Sequence, residues 1–347
     1  MEGNWKDGCG RDIREGLSDY PGLCSLDGDN LCYGQPDRGS VLSVSGSKNP
    51  AGRKERMKYY VKRARSSPQF IVLFLLAILL VLIPVFAPWI APHDPIANDY
   101  ANSMIPHSRE FPLGTDQLGR CVLSRLIWGG RTSLLIVFLV VAIVSVLGIL
   151  LGVTAGFAGG WTDNILSRVT DVVMAVPSMV FVIALVTVLG PGLWHTVLAM
   201  ALVGWTENFR VSRALVLSEK ENHYVEEARL GGLKKKDMIF HVILPNVVPY
   251  LLVNITQDIG SNLLTLSGLS LLGLSSQPPV PEWGFMLSEG RKFIQSAPWL
   301  IFWPGMVIVI HVIVFNLLGD SLRDILDPRF EKPKKKGRRF KKWLETY

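Results

Sequence analysis

The sequence predicts an all-α, polytopic membrane protein with six transmembrane helices and one charged loop between the fourth and the fifth. Three observations carry this. Apolar runs of about 20 residues, the length that crosses ~30 Å of hydrocarbon, recur through a chain of 347 residues that is 49% hydrophobic. Basic residues cluster just before the first run (Arg53, Lys54, Arg56, Lys58, Lys62, Arg63, Arg65) and just after the last (Arg329, Lys332, Lys334 to Lys336, Arg338, Arg339, Lys341, Lys342). A single long charged stretch, Tyr224 to Asn246, interrupts the apolar half.

The net charge of +7 sits largely in those two clusters. Basic clusters beside spans are the positive-inside signal. No globular reader domain accompanies them, so nucleic acid is not an expected partner. Four cysteines, Cys9, Cys24, Cys32 and Cys121, show no CxxC or metal-ligand spacing, which argues against a disulfide scaffold or a zinc site. The opening residues are polar and rich in Gly and Asp, unlike a cleavable signal peptide.

Taken in order, residues 1–65 read as a flexible cytoplasmic extension, because Gly, Asp, Ser and Pro are scattered without an apolar period. Cys24 and Cys32 leave a redox or metal role open there, and Met57 is an alternative start. The expected membrane domain covers 66–327, and a basic cytoplasmic tail covers 328–347. Span one runs from about Phe70 to Ile90, with Pro84 and Pro88 near its end and Trp89 suited to the interface. A loop follows to about Arg131, and its Arg and Asp residues form no recognisable catalytic set. Span two covers about Ser133 to Phe157. Ala158 to Asp163 reads as a tight turn at the membrane surface, since its glycines lack the strand and helix context of a phosphate loop. Span three covers about Val172 to Leu189 with Pro177 inside it. Span four covers about Thr196 to Leu217 and turns polar at Glu207, Arg210 and Arg213. Span five runs from Pro245 or Asn246 to about Leu274, and span six from Trp299 to about Leu318. An even number of spans puts both termini on one side. The basic clusters place that side, and the Tyr224 to Asn246 stretch with it, in the cytoplasm.

Within that stretch, Tyr224 to Gly232 suits a short helix. Glu226 and Glu227 fall near its start, where the helix dipole favours carboxylates, and Gly231-Gly232 stops it. Lys234 to Asp237 begins a second helix toward Pro245. The pair is either a docking knob or a plain solvated loop.

The stretch resembles the EAA loop of ABC importer membrane subunits, here a cytoplasmic EAA coupling loop. Glu226-Glu227-Ala228 stands for Glu-Ala-Ala, Gly232 for the later Gly, and Leu244-Pro245 for the Leu-Pro. Glu227 departs from the usual Ala and adds a charge. Leu113-Gly-Thr-Asp-Gln-Leu-Gly-Arg120, Ala155 to Asp163, Glu282-Trp-Gly284 and Gly319 to Pro328 are similar to motifs of the dipeptide, oligopeptide and nickel branch. They resemble its second-permease, C-type members, although Cys121 stands where Asp is usual. The resemblance covers about Pro68 to Pro328.

It implies a pore made by two homologous permease subunits, with two ATP-binding subunits, an extracytoplasmic substrate-binding protein and the surrounding lipid as partners. The location it implies is the plasma membrane of a prokaryote. It assigns ATPase docking to Glu226, Glu227, Ala228 and Gly232. No G-x-x-x-x-G-K-[ST] loop is present, so the chain is expected to be no enzyme and to bind no cofactor, with ATP on the partner subunits. The implied cargo is nickel, a nickel chelate or short peptides. The run Leu266-Ser-Gly-Leu-Ser-Leu-Leu-Gly-Leu274 leans toward nickel, because Leu266 stands where many peptide members carry Glu.

Span five carries a polar stripe, Asn254, Gln257, Asp258, Ser261, Asn262 and Thr265, spaced three and four residues apart on one helix face. An ionised carboxylate against lipid costs roughly 3 kcal/mol or more, so Asp258 needs a wet path or a partner. The stripe either lines the pore or hydrogen-bonds to a neighbouring helix. His311 in span six is a weak metal-ligand candidate, and a helix-helix hydrogen bond is the simpler role. An ion-gradient-driven secondary transporter is the alternative function; it predicts matched internal repeats, and none is clear. A membrane-embedded enzyme would need a constellation that isolated Asp258 and His311 do not make.

Overall fold

The computed structural model describes residues 60–326, together with the backbone at 26–27 and 31–32. The chain divides into two units, Met1–Gly46 and Ser47–Tyr347. In the first, β1 (Leu26–Asp27) pairs antiparallel with β2 (Leu31–Cys32). The rest of the expected extension, through residue 59, and the expected tail over 328–347 lie outside the described residues.

The second unit is helical. Residues 60–66 form a short helix, followed by α1 (Pro68–Val85), α2 (Val122–Ala158), α3 (Gly160–Met174), α4 (Ser178–Leu189) and α5 (Leu193–Lys220). After these come α6 (His223–Leu230), α7 (Lys235–Leu271), α8 (Trp283–Gly290) and α9 (Trp299–Leu326). Four helices, α1, α2, α7 and α9, are long and apolar enough to cross a membrane, and α3 with α4 makes a fifth if that bent pair is one span. The expected fourth span is α5, a 28-residue helix. It is not among the candidate spans, and it carries Glu207, Arg210 and Arg213 within its length.

Four expectations are corrected. Span two starts at Val122, not near Ser133, and its 37 residues reach roughly 55 Å at ~1.5 Å per residue. Arg125 fits inside this helix because its charge is buried against two carboxylates. Span three is not continuous: α3 and α4 meet at 82°, with Pro177 as the residue before α4. The Ala158–Asp163 turn is likewise shorter than expected, since α3 already begins at Gly160. Finally, the second helix of the charged stretch and span five, expected as two elements meeting near Pro245, form one helix. A π-helical segment, Met238–Ile243, widens the ladder just before that proline, where its missing N–H and ring are accommodated.

Close packing of α2 on α5 organises the unit. Gly148, Gly152 and Gly156 recur every fourth residue on α2 and let the two backbones approach. A Cβ on Gly152 would lie 1.9 Å from Ser212 Oγ, and one on Gly148 would lie 2.5 Å from Asn208 Cβ. Around this seam, Val137, Val140, Leu263, Leu266 and Trp283 are buried in one apolar core. A second core, with Val153, Val216, Val225, Ala228, Val242 and Val247, fastens α6 to the ends of α2, α5 and α7. The helix α1 packs through Ala77 on Val314, Phe315 and Leu318, and leaves Val72, Leu75 and Leu79 exposed as a lipid-facing side.

Candidate functional site

Two regions carry the residues expected to act: the knob formed by α6 and a cavity between α3, α4, α5 and α7. On the knob, Val225 and Ala228 point into the second core and are buried, while Glu226 and Glu227 are exposed. Leu230 is 83% exposed and Phe240 60%. The surface thus offers two carboxylates and two large apolar side chains, held on a rigid base. The helix stops as its glycines demand. Gly232 sits at φ +76°, its N–H donates to Arg229 O at 3.1 Å, and Leu233 N–H donates to Ala228 O at 3.3 Å. Those paired bonds close a helix end around a left-handed residue. Glu226, Glu227, Ala228 and Gly232 are therefore brought together in one exposed turn, with Ala228 facing inward.

The base of the knob is also hydrogen-bonded. The Tyr224 phenol donates to Glu219 at the end of α5, and Asn246 Nδ2 of α7 donates to the phenol at 2.9 Å. Arg213 of α5 pairs with Asp163 of α3, and Lys220 Nζ donates to Phe157 O at the end of α2 at 3.0 Å. These contacts join the same end of α2, α3, α5 and α7 to the knob.

The cavity holds about 320 Å³. Four of the six stripe residues, Asp258, Ser261, Asn262 and Thr265, line it. The other two do not. Asn254 Nδ2 donates to Asn208 Oδ1 at 2.9 Å, and Gln257 Nε2 donates to Asp320 Oδ1 of α9 at 2.9 Å. At ~100° per residue Gln257 falls on the edge of the stripe, where it meets α9. Asn254 lies one turn before Asp258 and meets α5. Four of the six therefore face the cavity, and the other two hydrogen-bond to neighbouring helices.

Sequence reasoning missed Asn208, which is 1% exposed and donates through Nδ2 to Asp258 Oδ2 at 2.8 Å. The glycine repeat on α2 was the available signal. It marks the face on which α5 packs, and Asn208 and Ser212 lie on that face. Glu207, read only as part of a polar helix end, also lines the cavity.

The Leu113–Arg120 and Glu282–Gly284 motifs are structural clasps. Asp116 pairs with Arg120 (2.6 Å) and with Arg125, while Glu289 of α8 pairs with Arg125 (2.7 Å) and Arg120 (3.1 Å). Glu282 caps α8 by accepting from Gly284 N at 2.9 Å and Phe285 N at 2.8 Å. Burial pushes its carboxyl above the usual range, and those bonds oppose the shift. Trp283 Nε1 donates to Leu126 O of α2 at 2.8 Å, and its ring lies 4.6 Å from that of His311. His311 is buried, and its Nδ1 is 2.8 Å from Val307 O of its own helix. Among the described residues no group of three or more His, Cys, Asp or Glu is placed to hold a metal ion.

Comparison with known proteins places this geometry in a family. Residues 148–332 match the family described as binding-protein-dependent transport system inner membrane component. The chain is 41% identical over 263 residues to the di/tripeptide transport system permease protein DppC of Pseudomonas aeruginosa, covering 74% of this chain and 87% of that one. It is 38% identical over 250 residues to the nickel transport system permease protein NikC of Escherichia coli, covering 72% and 90%. To the probable D,D-dipeptide transport system permease protein DdpC of the same species it is 37% identical over 265 residues, covering 76% and 89%. These matches support an ABC importer permease rather than the ion-gradient-driven alternative. The chain belongs to the binding-protein-dependent transport system inner membrane component family.

Proposed function

We propose that the chain is one of two homologous permease subunits that form the pore of an ATP-driven importer for short peptides or nickel. The observation that carries this is the knob: an exposed turn with Glu226, Glu227 and Leu230 outward, fixed by a buried core to helices that wall the cavity. Separate ATP-binding subunits seat this turn. When ATP closes them, the knob moves as a body with α5 and α7, and the cavity changes the side to which it opens. Such a shift needs a contact that differs in strength between the two states, and the exposed acidic and apolar groups of α6 supply one.

In this reading the knob and both termini are cytoplasmic, in the plasma membrane of a prokaryote. Six crossings complete the topology, with α3–α4 and α5 counted as two of them. An extracytoplasmic binding protein delivers cargo at the α8 end. The relatives named for peptides and for nickel support both cargoes. Purification of the chain from its native membrane, with its partners identified by mass, should recover a second permease, ATP-binding subunits and a binding protein. The same complex in liposomes should take up labelled dipeptide or nickel only with ATP inside the compartment that faces the knob. Uptake without ATP-binding subunits would overturn the proposal.

A further inference from the structure

The cavity is lined by two carboxylates and no basic side chain: Glu207 from α5 and Asp258 from α7 stand among apolar, amide and hydroxyl groups. The bonding of Asp258 is one-sided. Its Oδ2 accepts from Asn208 Nδ2, and no protein donor among the described residues reaches its Oδ1, which is left to the cavity. Asn208 presents Nδ2 to the carboxylate, which when ionised is acceptor only, and its Oδ1 accepts from Asn254 Nδ2 on the other side. The chain Asn254 to Asn208 to Asp258 therefore holds the carboxylate at the wall in one orientation. An acidic group without a basic partner at membrane depth, open to a cavity, attracts positive charge.

We propose that Asp258 and Glu207 form a recognition site for the positively charged group of the cargo, with Asn208 as the positioning residue of Asp258. This rests on the importer reading given above. The amino group of a short peptide and a divalent metal ion offer the same chemistry to these carboxylates, and separate arms of one experiment tell them apart.

The whole importer in proteoliposomes is supplied with radiolabelled Lys-Ala, Ala-Ala and Asp-Ala in one arm and radiolabelled nickel ion in the other. Asp258→Asn is expected to lower kcat about tenfold or more, the size of a lost charge-assisted bond, with KM unchanged because the binding protein sets it. The loss falls in the order Lys-Ala, Ala-Ala, Asp-Ala. Asp258→Glu restores much of the rate, Asn208→Leu reproduces the loss with Asp258 intact, and Glu207→Gln gives a smaller loss in the same order. Full kcat in Asp258→Asn, or no recovery in Asp258→Glu, overturns the inference while leaving the importer reading in place. A wild-type complex that moves neither peptide nor nickel overturns that reading, and the inference with it.

Discussion

Asn246 donates its side-chain N–H to the Tyr224 phenol at 2.9 Å, and the phenol donates in turn to Glu219. One hydroxyl thus ties the first turn of the knob to the end of α5 and to the helix that carries Asp258. Tyr224→Phe removes both bonds and keeps the ring. The loss is about 1 kcal/mol per bond, too small to unfold the chain. The complex should assemble, while cargo-stimulated ATP hydrolysis falls several-fold against an unchanged basal rate. Phosphate release with and without loaded binding protein measures the split.

Ala228 tests the inward face of the same turn. It is 5% exposed, within the core that contains Val216 and Val242. Ala228→Leu adds volume where none is free, at a cost of about 1–3 kcal/mol. Limited proteolysis of the purified chain should show earlier cleavage near residues 223–233, whereas Glu226→Gln on the outer face should leave the cleavage pattern as it is.

The ion cluster on the opposite side predicts a larger penalty. Glu289→Ala leaves Arg120 and Arg125, 3% and 2% exposed, to share Asp116 alone. Breaking one side of a buried pair costs about 3–5 kcal/mol. Thermal unfolding in detergent should shift down by several degrees. High salt should not reproduce the shift, because buried pairs are poorly screened.

Glu282 predicts a pH dependence. Burial raises its carboxyl above the ordinary value, so the folded chain holds a proton that the unfolded chain releases. Its contribution to stability is full below the unfolded value and is lost as pH rises through the folded one. Thermal stability in detergent should therefore decline with pH above the ordinary carboxylate range. Glu282→Gln keeps an acceptor for the α8 N–H groups and should flatten that slope.

Much of this was legible in the sequence, and for physical reasons. Uniform apolar runs marked most of α1 and α9, although the first was read on to Ile90 where α1 ends at Val85, and the second only to Leu318 where α9 runs to Leu326. Gly231-Gly232 marked the stop of α6 because glycine takes φ +76° without steric cost. The start of α2 was hidden, since Arg125 reads as a loop residue until Asp116 and Glu289 are seen to pair with it. The bend at Pro177 was hidden because a proline is compatible with a kinked span as well as a broken one. In the cavity, periodicity alone grouped Asn254 and Gln257 with Asp258. Their partners, Asn208 and Asp320, come from helices 46 and 63 residues away in the chain, a relationship that local spacing does not encode.

Gly232→Pro bears most directly on the coupling knob. Proline cannot take φ +76° and has no N–H for Arg229 O, so the substitution reshapes the turn between α6 and α7. Nothing lies within 4 Å of where a Cβ on the present backbone would be, so the strain is in the backbone and not in a side-chain clash. The ATP-binding subunits should be lost from the variant when it is purified from the membrane, with normal amounts of the chain present and no ATP-driven uptake. Full retention of those subunits together with wild-type, cargo-stimulated ATP hydrolysis would contradict the knob as the site of coupling.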